Sequence, residues 1–197
     1  MFDRQRFFRK IVQCKEFTVS RCPSILLLVV FVGFFGVVAT PAQTTLQGRS
    51  QYGGLIRNVN SGRCVDVFGS STNKNANVQQ FSCNNGANQR WEFVDVGNGQ
   101  YAIRNVNSGL VLDVAGDSRA NGANVQQFPW NGGANQRWKT RGSNNNFELV
   151  NVNSGKCLEV QGGGKGNNVN IAQSQCNGAR YQRWYAGYAL PGGPSPR

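Results

Sequence analysis

No histidine occurs anywhere in the 197 residues. That excludes Ser-His-Asp and Cys-His nucleophilic catalysis and any zinc site that needs an imidazole ligand. Acids are scarce as well: 9 Asp+Glu stand against 21 Lys+Arg, a formal +12, in a chain of which only 15% is charged. The basic balance therefore comes from missing acids more than from abundant bases. No run of basic residues is present, so the charge is a poor argument for nucleic acid. Neither a glycine-rich phosphate loop nor a metal-ligand cluster can be found. The expectation is a protein without cofactor, without metal and without catalysis.

Only one long apolar run exists, residues 25–39 (ILLLVVFVGFFGVVA). At about 1.5 Å per residue it makes roughly 22 Å of helix, short of a hydrocarbon core of about 30 Å. Upstream, Arg4, Arg6, Arg9, Lys10, Lys15 and Arg21 outweigh Asp3 and Glu16, a local +4. Downstream, Thr40-Pro41-Ala42 supplies small residues suited to signal peptidase. Residues 1–42 read as a signal peptide cleaved after Ala42, or as an uncleaved signal anchor, with the N-terminus inside in both cases. The remainder is then secreted, or anchored with its domain outside; contact with a membrane is confined to the N-terminal segment. Residues 43–50 read as a linker and 187–197, rich in Pro and Gly, as a disordered tail. Beyond residue 42 the chain holds 15 Lys+Arg, 7 Asp+Glu and all 24 Asn, none of them in an Asn-x-Ser/Thr sequon.

That remainder repeats itself. Residues 56–91 (IRNVNSGRCVDVFGSSTNKNANVQQFSCNNGANQRW) superpose on 103–138 at an offset of 47 without a gap, and 24 of 36 positions are identical. A diverged third copy, 149–184, follows at an offset of 46. Three blades are too few for a propeller, and no helical periodicity supports a solenoid. Within each copy short apolar runs alternate with turn chemistry. In copy one, strands at 52–58, 64–67, 78–81 and 90–94 are separated by Asn60-Ser61-Gly62, a polar loop 69–76 and Asn84-Asn85-Gly86. Four strands per copy make twelve. One copy has too few apolar positions to bury a core, but three closing around a pseudo-threefold axis can, with Trp91, Trp138 and Trp184 pointing inward.

Gln89-Arg90-Trp91, Gln136-Arg137-Trp138 and Gln182-Arg183-Trp184, each preceded by a strand like Cys64-Val65-Asp66-Val67, resemble the Gln-x-Trp repeats of the ricin B-type lectins. The resemblance covers about residues 51–186, with copies at about 51–95, 96–141 and 142–186. It implies an all-β fold, a β-trefoil of three four-stranded repeats. It also implies a glycan-binding protein, since the same unit serves as a carbohydrate-binding module on glycoside hydrolases.

Cys64 and Cys83 are 19 apart, as are Cys157 and Cys176 at matching places in copy three. Four cysteines allow three pairings, and the repeat symmetry selects 64–83 and 157–176. Copy two has Val111 and Trp130 there, an apolar pair in place of a bridge. Cys14 and Cys22 lie in the leader and are discarded or reduced, or palmitoylated should the leader persist.

The resemblance implies sugar sites in the first two copies. In copy one these are Asp66, accepting two adjacent hydroxyls in charge-assisted bonds; Phe81, a platform for the ring; and Asn88, bonding a hydroxyl and orienting Asp66. Gln79 and Gln89 belong to the same pattern. Copy two repeats the set as Asp113, Gln126, Phe128, Asn135 and Gln136. Copy three departs at Glu159, Ala172, Ser174 and Tyr181, and reads as inactive unless Tyr181 rebuilds a platform from the other side. Plainer roles stand beside these: Gln89, Gln136 and Gln182 as ties between turns, Asp66 and Asp113 as turn-capping carboxylates, and Arg90, Arg137 and Arg183 as solvated side chains or a basic ring. Asp66 and Asp113 occupy equivalent places in separate lobes, too far apart for glycosidic chemistry, which needs about 5–10 Å.

The expected partner is an oligosaccharide, polysaccharide or glycoconjugate, with selectivity in the loops 70–75 and 117–122. Two other readings compete. One is a protein-interaction or inhibitor trefoil with relic sites. The other is a binder of polyanions or of the cell envelope through the +8 surface.

Overall fold

The computed structural model describes Leu46, residues 50–143 and residues 146–187, the side chains of 50–52 excepted. The leader 1–42 with Cys14 and Cys22, most of the linker, and the tail after Gly187 lie outside the described residues.

Twelve strands are found among the described residues, four per copy. Copy one contributes β1 (Ser50–Asn58), β2 (Cys64–Val67), β3 (Val78–Phe81) and β4 (Arg90–Asp95). Copy two contributes β5 (Tyr101–Asn105), β6 (Val111–Val114), β7 (Ala123–Phe128) and β8 (Trp138–Ser143). Copy three contributes β9 (Asn146–Asn151), β10 (Cys157–Val160), β11 (Val169–Ser174) and β12 (Trp184–Ala186). The first and last strand of each copy pair around a closed antiparallel ring, β1–β4–β5–β8–β9–β12 and back to β1. Closure leaves no free edge in the barrel. The middle strands form the hairpins β2–β3, β6–β7 and β10–β11, and these meet through β3–β11 and β11–β7. This is a β-trefoil, as the family resemblance implies.

Period-two alternation explains the hairpins. Val65 and Val67 enter the main core, as do Leu112, Val114, Leu158 and Val160 at the matching places. The intervening residues Cys64 and Asp66 face away from it. Trp91, Trp138 and Trp184 are fully buried. Each indole N–H, costly to bury unpaired, donates to the preceding hairpin: to Val65 O at 3.0 Å, Leu112 O at 3.1 Å and Leu158 O at 3.1 Å.

The copies are sewn together by side chains that recur in all three. Gln80 Nε2 donates to Gly164 O and Gly166 O, while its Oε1 accepts from Ser61 Oγ. Gln127 does the same with Ser71, Asn73 and Ser108. Gln173 does so with Ser118, Ala120 and Ser154. Each therefore satisfies carbonyls of the neighbouring copy's loop from a fully buried position. Asn60, Asn107 and Asn153 add a second cyclic set, donating to Gly163 O, Ser70 O and Asp117 O.

Cys64–Cys83 and Cys157–Cys176 are disulfide-bonded. Each loop of about 20 residues gains on the order of 3 kcal/mol from its bridge. In copy two, Val111 is buried with Val94 and Ala102, and Trp130 packs on that cluster with Leu46 and Val96. Apolar contact takes over where the covalent bond is missing.

Candidate functional site

The outward face of the β2–β3 hairpin is where polar chemistry collects. Asp66 lies directly across from Gln79, and Cys64 from Phe81, so alternation alone puts acid, amide and aromatic side by side. Gln79 Nε2 donates to Asp66 Oδ1 at 3.0 Å, and Asn88 Nδ2 and Gln89 Nε2 donate to Oδ2 at 2.8 and 2.9 Å. Asn88 and Gln89 arrive from the short 3-10 turn Ala87–Gln89. Copy two reproduces this: Gln126 to Asp113 Oδ1 at 3.0 Å, Asn135 and Gln136 to Oδ2 at 2.8 and 3.0 Å.

These bonds limit what each group can offer a ligand. A carboxylate has about four lone-pair positions, and three are taken on Asp66, leaving one on Oδ1. Two adjacent hydroxyls, as the pattern suggested, would need two free positions. Both N–H groups of Asn88 are in use, on Asp66 and on Val67 O at 3.2 Å, so only its Oδ1 is left to accept from a hydroxyl. Gln79 keeps one N–H and its carbonyl. Gln89 is committed to the fold: Oε1 accepts from Asn84 N at 2.9 Å and Nε2 also reaches Ser82 O at 3.0 Å. Gln136 and Gln182 make the equivalent ties to Asn131 and Pro129, and to Asn177 and Gln175. The plainer role suits all three glutamines, with the added duty of orienting the acid.

Asp66 lies 4% exposed at the floor of a cleft of about 270 Å³. Gln79, Phe81 and Asn88 line it, as the pattern implies. So do two residues that the sequence reading did not single out, Phe68 and Asn168. Phe68 stands two positions after the acid, where copy two has Ala115 and copy three Gln161; a lone aromatic in a polar turn was its signal. Asn168 comes from copy three, delivered by the backbone bond from its N–H to Gln80 O at 2.9 Å. Only the cyclic topology reveals it.

Asp113 is 3% exposed. Burial pushes its carboxyl above the usual 3.8; the Gln126 and Gln136 amides pull it down, the Asp117 charge raises it, and the Asn135 amide lowers it. Asp117 occupies the place of Ser70, so copy two carries a second carboxylate on its rim.

In copy three the carboxylate of Glu159 accepts a bond from Gln182 Nε2, at 2.9 Å. Ala172 has no amide to give, and Ser174 provides no platform. Two further changes accompany Tyr181. A Cβ at Gly86 or Gly133 would fall 2.5 or 2.4 Å from Oδ1 of Asn88 or Asn135, so those asparagines need glycine two residues before them; copy three has Ala179 there. Conversely, a Cβ on Gly163 would stand 2.9 Å from the Tyr181 ring, at a φ of +66°; the other copies have Ser70 and Asp117 at that place. The Tyr181 ring packs against Gly163 and the main core, and its hydroxyl accepts from Asn177 Nδ2 at 3.2 Å.

The three arginines of the Gln-x-Trp motif are placed by their backbones. Arg90 O, Arg137 O and Arg183 O accept from Val106 N, Val152 N and Val59 N, each bond at 2.9 Å joining adjacent copies. Among the described residues no group of three or more Cys, Asp or Glu is placed to hold a metal ion.

Comparison with known proteins agrees with this geometry. The sequence model of the family described as "Ricin-type beta-trefoil lectin domain" matches residues 52–184. Among solved structures, the designed threefold-symmetric protein ThreeFoil is 36% identical with a TM-score of 0.66, over 68% of this chain and 96% of that one. The exo-β-1,3-galactanase 1,3Gal43A from Clostridium thermocellum is 31% identical with a TM-score of 0.68, over 70% of this chain. The hemolytic lectin CEL-III is 30% identical with a TM-score of 0.61, over 72% of this chain. The match spans 30% of the galactanase and 31% of CEL-III, so it concerns one part of each.

Proposed function

The chain belongs to the ricin-type β-trefoil lectin domain family, and we propose that it is a non-catalytic glycan-binding protein with sugar sites in copies one and two. The observation that carries this is the twofold recurrence of one constellation. A nearly buried carboxylate is held by the same three amide donors beside an aromatic ring, and in copy three the constellation is dismantled at once. A sugar presents a C–H face and a rim of hydroxyls, and a ring beside fixed donors and acceptors matches both. Shallow sites of this size bind weakly one at a time, so two on one rigid domain favour polymers and densely decorated surfaces. We further propose that the domain works outside the cytosol, secreted or held by residues 1–42. The two disulfides support an oxidising compartment.

Binding of the full chain to a glycan array, before and after Asp66→Asn with Asp113→Asn, tests this reading. Loss of at least tenfold in signal, with the melting transition retained, is the expected outcome. Binding that persists in the double variant but is released by added salt would instead mark a polyanion surface. No glycan binding by either protein would favour a protein-interaction role.

A further inference from the structure

The two constellations are alike at the carboxylate and unlike at the rim, and Phe68 makes the difference. It is 57% exposed, the one exposed aromatic among the described residues. A single exposed apolar side chain normally needs no explanation. This one lines the same cleft as Asp66, Gln79, Phe81 and Asn88, so the cleft has two aromatic walls beside one set of hydrogen-bonding groups. Phe68 is also held in place. Its N–H donates to Asn77 O at 3.0 Å and its carbonyl accepts from Ser71 N at 3.2 Å. The adjoining Gly69 and Ser70 take the left-handed conformation, at φ of 62° and 52°. Asn107 Nδ2 then ties Ser70 O at 2.9 Å, which fixes the turn against copy two. Val106, the other exposed large hydrophobic at 43%, precedes Asn107 on the copy-two side of that tie. With the backbone at Phe68 fixed, only its side-chain torsions remain to be ordered when a ligand docks against the ring.

Resting on the sugar-site reading above, we infer that copy one is a two-unit site. One sugar ring sits against Phe81 with a hydroxyl on Asp66, and its neighbour in the chain stacks on Phe68, with Asn168 offering an amide across the cleft. Copy one thus selects disaccharides and units linked within a polymer. Copy two, with Ala115 and Asp117 on its rim, takes a single neutral ring.

The test measures the full chain against galactose and lactose, and against xylose and xylobiose, by calorimetric titration. With copy two silenced by Asp113→Asn, the preferred disaccharide should bind about 5- to 10-fold tighter than its monosaccharide, the scale of one added aromatic stack. Phe68→Ala in that background should bring the ratio to about one, with the melting temperature unchanged. The reciprocal Ala115→Phe, with copy one silenced by Asp66→Asn, should raise the ratio at copy two. A ratio that survives Phe68→Ala overturns the two-unit site while the sugar-site reading stands. If the full chain binds these sugars equally well after Asp66→Asn with Asp113→Asn, both fall together.

Discussion

Copies one and three share a backbone and differ around a single carboxylate. In copy one, Asp66 takes N–H bonds from Gln79, Asn88 and Gln89. In copy three, Glu159 keeps only the last of these, from Gln182, and Tyr181 packs on Gly163 where the asparagine and its glycine partner have gone. The contrast separates two kinds of repetition. Residues kept in every copy hold the fold: the tryptophans, the glutamines of Gln-x-Trp, and Gln80, Gln127 and Gln173. Residues lost together in copy three are the ones assigned to the proposed sugar sites, and copy three forms its share of the barrel without them.

The distinction can be broken most forcefully at neighbouring glutamines with opposite histories. Gln173→Ala strands two carbonyls and a hydroxyl and should cost about 2–4 kcal/mol, read by chemical denaturation, with sugar binding at copy one intact while the fold persists. Gln126→Ala, at a position copy three has already surrendered, should cost about 1 kcal/mol and yet remove binding at copy two. Equal losses of stability would erase the difference between structural and functional repetition.

A subtler contrast lies between copies one and two. As a carboxylate Asp113 accepts its three amide bonds and still offers a charge-assisted acceptor to the proposed hydroxyl, and burial together with Asp117 raises its carboxyl above 3.8. With copy one silenced by Asp66→Asn, binding should fall on acidification with a midpoint above pH 3.8. Replacing Asp117 with Asn removes a neighbouring negative charge, which makes the ionised form of Asp113 easier to hold, and should move that midpoint to lower pH. A midpoint indifferent to Asp117 would contradict the rim assigned to copy two.

Much of this was legible in the sequence because threefold repetition is an internal control. The strand limits, the disulfide pairs and the Val111/Trp130 substitute follow from comparing one copy with the next. Asp66, Gln79 and Phe81 come from the family resemblance, and the β2–β3 register sets Asp66 across from Gln79 and Cys64 across from Phe81. What escaped depends on three-dimensional closure. Asn168 reaches the first site only because the copies interlock cyclically. The dependence of Asn88 on Gly86 is a steric matter of 2.5 Å that spacing does not express. The hydrogen-bonding roles of Gln79 and Gln80, adjacent and identical in type, diverge because one faces the cleft and the other the seam. Their fates in copy three, Ala172 and Gln173, had recorded that difference.

The central claim is that two of three copies are sugar sites, and the count of bound sugars per chain tests it most directly. Calorimetric titration of the full chain with a binding monosaccharide should give two sites, falling to one in Asp66→Asn or Asp113→Asn and to none in the double variant, with Tyr181→Ala leaving the count at two. Three sites in the unaltered chain, or a count unmoved by either aspartate, would contradict the account.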